Sequence, residues 1–253
     1  MTSHVTTERA DDWVTLTLDR PSKANALTGE MFEAVGDAFE SFADDDALDG
    51  VTIRGAGGHF SAGVDMSGVP EWGEMNPLAV RDELEGIHDS LRAIEALDAP
   101  VVAALEGHVL GGGLELAISC DLRIASETAE FGLPESEMGL AMDLGGAQKL
   151  PSFVGEGLTK YLIMTGETID ARRAFEAGLV EERLDAGEFE AAVADLEATL
   201  AARPTYVHGL AKRQVHSARP LNLDEAMQQA IHHAIAAYQE GETQERVRDF
   251  FEG

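Results

Sequence analysis

Residues 110–115, which read Leu-Gly-Gly-Gly-Leu-Glu, constrain the fold of this chain more than any other segment. A glycine inside a helix or strand costs about 1 kcal/mol relative to alanine, so three in a row predict a backbone that another group approaches closely. The apolar positions that follow predict a helix beginning near Gly113, with Glu115 close to its start. The free N–H groups of such a helix start favour an anion. The same pattern also fits a tight packing turn with a solvated glutamate.

Two other segments carry related features. Residues 59–66 read His-Phe-Ser-Ala-Gly-Val-Asp-Met and follow a predicted strand, so their small residues permit close approach and offer the amide of Val64. They also fit an ordinary turn in which Asp65 caps the next helix. In Phe-Gly-Leu-Pro-Glu at residues 131–135, the proline stiffens a turn that carries Glu135, which is alternatively a solvated loop glutamate. Bare amides beside two glutamates suit a reaction that forms an oxyanion next to a proton transfer.

The charge of the chain limits its partners and its surroundings. The 253 residues carry a formal net charge of −29, and the acidic residues are spread along the sequence rather than gathered in a tail. This excess argues against nucleic acid and anionic membranes as partners. Repulsion between diffuse like charges destabilises a compact chain unless salt screens it. We therefore hypothesise a cytoplasm of very high ionic strength, as in halophiles.

Other features indicate a cytoplasmic globular protein without a metal centre. No apolar run approaches the roughly 20 residues that span a bilayer, and the first ten residues lack an apolar secretory segment. The single cysteine, Cys120, excludes an intrachain disulfide and is expected to be an inert buried thiol. Eight histidines form no metal-binding pattern. We therefore predict no metal site.

The periodicity of apolar residues predicts an α/β fold. Val14, Leu16 and Leu18 alternate with threonines, which predicts a half-buried strand, and a short buried strand is expected at residues 101–105. Strands alternate with helical patterns along most of the chain, as in folds whose helices cover a sheet. From Pro204 onward only helical patterning remains. The last residues therefore look like a helical appendage on an α/β body.

Five segments in register resemble the enoyl-CoA hydratase/isomerase (crotonase) family over nearly the whole chain. They are the Arg-Pro and Asn-Ala-Leu of residues 19–27, the Phe-Ser-Ala-Gly-Val-Asp of 60–65, the glycine run through Cys-Asp of 107–121, the Phe-Gly-Leu-Pro-Glu through Gly-Gly of 131–146, and the Thr-Gly through Gly-Leu-Val of 165–180. The resemblance implies a spiral of β-strands and helices as catalytic core, at residues 1–198, and a C-terminal helical trimerisation region, at residues 199–253. It also implies a homotrimer or a dimer of trimers (a hexamer), and acyl-CoA thioester substrates in fatty-acid β-oxidation. No cofactor is implied, because coenzyme A is part of the substrate.

The resemblance also assigns roles to individual residues. The amides of Val64 and Gly112 match the oxyanion hole, Glu115 matches the glutamate that activates water, and Glu135 matches the glutamate that exchanges a proton at the α-carbon. The positions that match stretches binding coenzyme A and the acyl group are Lys23, Ala24, Ala62, Val64, Asp65, Met66, Ser67 and Gly111. Met142 departs from the family, which often has proline there; this change and the acidic Asp143 are expected to reshape the acyl pocket.

Both glutamate positions are filled, which favours an enoyl-CoA hydratase that adds water across the 2,3 double bond of a 2-enoyl-CoA. The addition places charge on the thioester oxygen, which preorganised donors stabilise. Two neighbouring carboxylates divide the roles of base and acid, because burial and mutual repulsion keep one of them protonated. The alternatives are an enoyl-CoA isomerase that uses Glu135 alone or another crotonase-type reaction. A different class is a non-catalytic oligomer that binds acyl-CoA.

Overall fold

The computed structural model of the chain describes residues 4–68, 73–141, 143–218 and 222–252. The α/β fold that the sequence predicts is confirmed. The strands are β1 Val5–Ala10, β2 Trp13–Leu18, β3 Gly50–Gly55, β4 Val101–Leu105, β5 His108–Leu110, β6 Leu122–Ser126, β7 Glu130–Gly132, β8 Ile169–Asp170 and β9 Glu182–Leu184. The α-helices are α1 Gly29–Ala43, α2 Pro77–Ala96, α3 Gly112–Ala117, α4 Gly146–Lys149, α5 Pro151–Thr165, α6 Ala171–Glu176, α7 Phe189–Ala201, α8 Thr205–Ala218, α9 Leu223–Gln239 and α10 Gly241–Glu252.

A six-stranded sheet with the order β1-β2-β3-β4-β6-β9 forms the body of the fold. Only its edge strand β1 runs antiparallel to its neighbour; the other pairs are parallel. Parallel neighbours need long crossovers, which α1 supplies between β2 and β3 and α2 supplies between β3 and β4. The alternation predicted for β2 is confirmed, because Val14, Leu16 and Leu18 are buried.

A smaller sheet contains the strand that leads into the glycine run. Its three strands have the order β5-β7-β8, with β5 parallel to β7 and β8 antiparallel to β7. The chain leaves β4 of the large sheet and enters β5 through Gly107, whose φ of +52° lies in the left-handed region. Because β5 ends at Leu110, the three glycines fall at the point where the chain leaves the small sheet.

The main core lies where α1 and α2 pack beside the large sheet. Phe32 and Phe39 of α1 meet Leu91 and Ile94 of α2 in one buried cluster with the strand side chains. Cys120 is buried and free, and burial, followed by the charge of Asp121, raises the pKa of its thiol to about 12. The thiol therefore stays protonated at neutral pH, in agreement with the inert role expected from the sequence.

The C-terminal part of the described chain is helical, as the pattern after Pro204 predicts. Helix α7 packs Phe189 and Val193 against Ala104 and Ile124 of the large sheet, and it continues to Ala201, across the predicted division between 198 and 199. That division stays a prediction. None of the helices in the described ranges is long and apolar enough to cross a bilayer.

Candidate active site

A cavity of about 130 Å³ opens between the glycine run, helix α2 and the segment that follows β7. Most of its wall is apolar. The apolar side chains that line it include Val64, Met66, Leu84, Ile87, Pro134, Met138, Leu140 and Leu144. Three carboxylates, those of Glu115, Glu135 and Asp143, also line it. Carboxylates in a small apolar hollow are the arrangement that shifts acid–base groups toward neutral pKa values.

The three consecutive glycines each allow a different close approach. A Cβ on Gly111 would lie 2.6 Å from Oε1 of Glu135, and a Cβ on Gly113 would lie 2.7 Å from Cβ of Ser61. A Cβ on Gly112 would lie 2.8 Å from Cγ2 of Val64. Gly111 also has a φ of +51°, which side chains other than glycine rarely adopt. Each of the three glycines is therefore approached closely by a different residue, as the glycine run predicts.

Two backbone amides beside the cavity are free to donate. Leu27 N donates to Gly63 O and Asp65 N donates to Leu27 O, both at 2.7 Å, so the strand-like pairing holds the residues on either side of Val64. Within the described part of the chain, the N–H groups of Val64 and Gly112 have no acceptor. Gly112 is the first residue of α3, where a helix has no internal acceptor to offer. The segments touch, because a Cβ on Gly63 would lie 3.5 Å from Gly112 N.

Glu115 reaches the cavity from the buried face of α3. Its side chain is nearly enclosed, with a residue exposure of 2%. The amides of Leu144 and Gly146 donate to Oε1 at 3.2 and 2.7 Å. Burial raises the pKa of Glu115 to about 7, and the charges of Glu135 and Asp143 add to this, while the two amide bonds oppose it. Desolvation therefore outweighs hydrogen bonding at this carboxyl, which titrates near neutrality.

Glu135 enters from the other side, on a 3₁₀ turn over Pro134–Met138. It is half-buried, and its Oε2 is a buried atom without a hydrogen-bond partner among the residues that the structure describes. Burial, followed by the charge of Asp143, raises the pKa of its carboxyl. The site thus holds two glutamates with raised pKa values beside two unengaged amides. One acid and one base can act together on a group placed between them.

The sequence drew attention to Asp143 only as a departure and did not indicate its partner. The carbonyl oxygen of Asp143 accepts a hydrogen bond from Nε2 of His88 at 2.6 Å, so this nitrogen carries the proton. Burial raises the pKa of the Asp143 carboxyl, and the charge of His88 opposes the shift. His88 lies on α2, and nothing in its local sequence indicates that α2 covers the cavity. Met142 lies outside the described residues.

The structure brings some predicted binding residues to the cavity and leaves others outside it. The residues that line the wall include Ala62, Val64, Met66 and Gly111. Gly112 is the next residue along the chain and is not part of the lining. Lys23, Ala24, Asp65 and Ser67 do not line it. Ala24 has a φ of +46° and accepts at its carbonyl from Ala62 N at 2.8 Å, so it positions the cavity segment from behind.

Asp65 is engaged within its own loop. Its carboxylate accepts from Ser67 N at 2.9 Å and pairs with Arg20 at 2.5 Å. The hydrogen bonds from Ser67, followed by the one from Arg20, lower the pKa of Asp65 to about 2. The carboxylate therefore holds the loop, which agrees with the capping role that the sequence also allowed. The contacts predicted between coenzyme A and Lys23, Ala24, Asp65 and Ser67 stay predictions.

Comparison with known proteins gives one consistent family. The model of the enoyl-CoA hydratase/isomerase family matches residues 9–253. A crotonyl-CoA hydratase of Syntrophomonas wolfei is 33% identical over 221 residues, which cover 87% of this chain and 84% of that protein. A 4-chlorobenzoyl coenzyme A dehalogenase of Arthrobacter is 28% identical over 249 residues, covering 98% and 90%. The crystal structure of an enoyl-CoA hydratase from Bacillus anthracis superposes with a TM-score of 0.91 at 30% identity, covering 98% and 96%. The chain belongs to the enoyl-CoA hydratase/isomerase family.

Proposed function

We propose that the protein is an enoyl-CoA hydratase, which adds water across the 2,3 double bond of a 2-enoyl-CoA thioester. One observation carries the proposal: Glu115 and Glu135 line the same cavity, beside the unengaged amides of Val64 and Gly112. The name of the Syntrophomonas wolfei relative, a crotonyl-CoA hydratase, also supports it. The reaction needs no cofactor, because coenzyme A arrives with the substrate.

The two amides would bind the thioester oxygen. When water adds to C3, the electron pair of the double bond moves onto this oxygen and forms an enolate. The N–H groups of Val64 and Gly112 donate to it, and each preorganised donor contributes roughly 10²–10³ in rate. Because none of the described residues accepts from these amides, they need no rearrangement before the reaction.

The two glutamates would divide the proton transfers. Glu115, as carboxylate, takes a proton from water as the water oxygen bonds to C3. Glu135, as carboxylic acid, delivers a proton to C2 as the enolate collapses, so protons and electrons balance over the two steps. Burial raises the pKa of Glu115 to about 7 and also raises that of Glu135, so both carboxyls bind a proton more readily than a solvated glutamate does. Each positioned acid or base contributes roughly 10²–10⁴ in rate.

The test follows the loss of enoyl absorbance with crotonyl-CoA in molar KCl. We expect turnover by the unmodified chain, and Glu115→Gln and Glu135→Gln each to lower kcat by about 10²-fold or more while thioester binding persists. Glu137→Gln is the matched control, because Glu137 is exposed on the same turn as Glu135 and does not line the cavity. Absence of hydration, or unchanged turnover in both variants, contradicts the proposal.

The alternative activity is that of an enoyl-CoA isomerase, which moves a double bond with Glu135 as its single base. One observation favours it: two backbone amides hold Oε1 of Glu115, as they would hold a structural carboxylate. An isomerase converts 3-enoyl-CoA to 2-enoyl-CoA and leaves crotonyl-CoA unchanged. A non-catalytic acyl-CoA-binding protein does neither, so the two substrates separate the three possibilities.

The proposal includes assembly into a homotrimer or a dimer of trimers. Helix α9 turns its small residues inward, with Ala226, Ala230 and Ala234 partly buried. A neighbouring stripe of the same helix carries large apolar side chains that are 47–76% exposed: Leu223, Met227, Ile231 and Ile235. A contiguous apolar stripe of this kind is typical of an interface. The net charge of −29 supports the further proposal that the protein works in a cytoplasm of high ionic strength, where salt screens the repulsion between acidic copies.

A further inference from the structure

Asp143 is a third carboxylate in the cavity and is not needed by the two-glutamate reaction. It is an exposed residue that lines the same wall as Leu84 and Ile87 of α2. It also lines a neighbouring cleft, beside Arg92 and Lys149. The peptide group between Asp143 and Leu144 is held through both of its polar atoms. Its carbonyl accepts from His88 at 2.6 Å, and the next residue, Leu144, donates its amide to Glu115. These two contacts fix the backbone on the C-terminal side of Asp143 relative to Glu115.

The carboxylate of Asp143 has unused capacity to accept hydrogen bonds. Across the described ranges, no other residue pairs with it in an ion pair or donates a hydrogen bond to it; only its own backbone amide contributes. The charged and titratable groups that line the cavity with it are Glu115 and Glu135. Those that line the neighbouring cleft with it are His88, Arg92, Glu95 and Lys149. An acyl group that fills the cavity displaces water from the side of Asp143 that lines the cavity. A carboxylate that loses water without gaining a donor is costly, typically by about 1–3 kcal/mol or more.

We propose that Asp143 makes the cavity selective for acyl groups that carry a hydrogen-bond donor, such as a hydroxyl, beyond the reacting carbons. This inference rests on the proposed function, because it takes the cavity as the acyl-binding part of the site. A hydroxyl donates to Asp143 and restores the hydrogen bond that water supplied. A methyl end desolvates the carboxylate without compensation. An acyl group ending in a carboxylate faces repulsion from Asp143, Glu115 and Glu135.

Three saturated thioesters of equal length test the proposal: butyryl-CoA, 4-hydroxybutyryl-CoA and succinyl-CoA. They end in a methyl, a hydroxymethyl and a carboxylate, and they have no double bond to hydrate. Titration calorimetry in molar KCl then measures binding independently of turnover. We expect 4-hydroxybutyryl-CoA to bind about tenfold more tightly than butyryl-CoA, and succinyl-CoA to bind more weakly than both, because a hydrogen bond to a charged group has this magnitude.

Two variants of Asp143 separate its charge from its hydrogen bond. Asp143→Leu removes both, so the preference for the hydroxyl falls to within about twofold. Asp143→Asn keeps an acceptor oxygen and removes the charge, so part of the hydroxyl preference persists while succinyl-CoA binds better than to the unmodified chain. Asp82→Asn is the control, because Asp82 is exposed on α2 and does not line the cavity. Circular dichroism verifies that each variant folds.

The outcomes are distinguishable from a failure of the proposed function. Equal affinities for butyryl-CoA and 4-hydroxybutyryl-CoA in the unmodified chain overturn the inference, even when crotonyl-CoA is hydrated. So does a hydroxyl preference that survives unchanged in Asp143→Leu. A hydroxyl preference in the unmodified chain that Asp143→Leu abolishes supports it, even when the enzyme proves to be an isomerase. If none of the thioesters binds, the proposed function and the inference both fail.

Discussion

At the scale of single residues, the site is governed by a competition between burial and hydrogen bonding. Glu115 accepts two amide hydrogen bonds that favour its ionised form, yet its pKa still rises to about 7. Burial is the larger effect, and the neighbouring carboxylates Glu135 and Asp143 act in the same direction. A group that titrates near neutrality exchanges protons readily at working pH.

Glu115 should make the stability of the fold depend on pH. Because its pKa is raised from 4.5 to about 7 in the folded chain, its contribution is fully present below pH 4.5 and is lost as the pH rises through about 7. We compare the free energy of unfolding of Glu115→Gln with that of the unmodified chain. The difference, variant minus unmodified, should increase by about 3 kcal/mol as the pH rises from below 4.5 to above about 7. Urea unfolding at several pH values measures it. Glu137→Gln should not change with pH in this way, and two parallel profiles for Glu115→Gln and the unmodified chain would contradict the shift.

Gly63 should tolerate replacement by alanine less well than Gly58, which also has a positive φ. Its φ is +96°, and a Cβ would lie 2.9 Å from the carbonyl oxygen of Leu110, so alanine there pushes the loop away from the glycine run. Gly58 has a φ of +79° with nothing within 4 Å of a Cβ, which makes it a matched control for strain alone. We expect Gly58→Ala to cost about 1–2 kcal/mol of stability and keep its turnover.

For Gly63→Ala we expect the same strain together with a loss of roughly 10²-fold in kcat, because the Val64 amide moves from its place. Urea unfolding and crotonyl-CoA turnover are measured on both variants. Equal kcat values for Gly58→Ala and Gly63→Ala would show that the close packing of the loop against Leu110 has no part in catalysis.

At the scale of helices and strands, the site depends on short elements that tertiary packing supports. Helix α3 has six residues, which is too short to be stable by itself in water. All six are buried, so packing holds it. Helix α2 covers the cavity with Leu84 and Ile87 and, through His88, holds the segment that carries Asp143. The site is assembled where these elements meet, and no single element contains it.

The outward face of α9 should control assembly. Ile231 is 50% exposed in the middle of the apolar stripe, so Ile231→Glu places a charge where a second copy would pack. We expect this variant to shift the mass measured by light scattering from a trimer or hexamer toward a monomer. Ala236→Glu adds the same charge to an exposed position of α9 outside the stripe and should leave the mass unchanged. A monomeric unmodified chain, or an unchanged mass for Ile231→Glu, excludes this surface as the interface.

At the scale of the whole molecule, the main electrostatic feature is the excess of acidic residues. The chain has 47 acidic residues against 18 lysines and arginines, so most carboxylates have no cationic partner available. Exposed ion pairs contribute only about 0–1 kcal/mol each, which does not offset a diffuse repulsion across the surface. Salt is the remaining means of reducing that repulsion, because the screening length falls from about 10 Å at 0.1 M to about 3 Å at 1 M.

The stability of the folded chain should therefore increase with salt. We expect the midpoint of thermal unfolding to rise by about 10 °C between low and molar KCl, which corresponds to about 3 kcal/mol for a chain of this length. Sucrose at matched osmolality is the control, since it stabilises by exclusion without screening charge. Equal midpoints in low and molar KCl would rule out the high-salt hypothesis.

The sequence by itself determined the local features of the fold and indicated two carboxylates that line the cavity. The alternation of β2 and the position of β4 follow from apolar periodicity, which depends only on near neighbours. The glycine run marks the turn after β5. These predictions succeeded because a strand, a turn or a helix start is decided mainly by residues a few positions apart.

Only the tertiary structure decided how these parts meet. Val64 and Gly112 lie 48 positions apart, and their amides become neighbours because Gly63 packs on the glycine run. His88 reaches Asp143 across 55 positions, and α2 closes the cavity although its sequence indicates only an amphipathic helix. Asp65 pairs with Arg20 and lies outside the cavity wall. Such contacts depend on how distant elements pack, and packing is a property of the whole folded chain that local patterns do not contain.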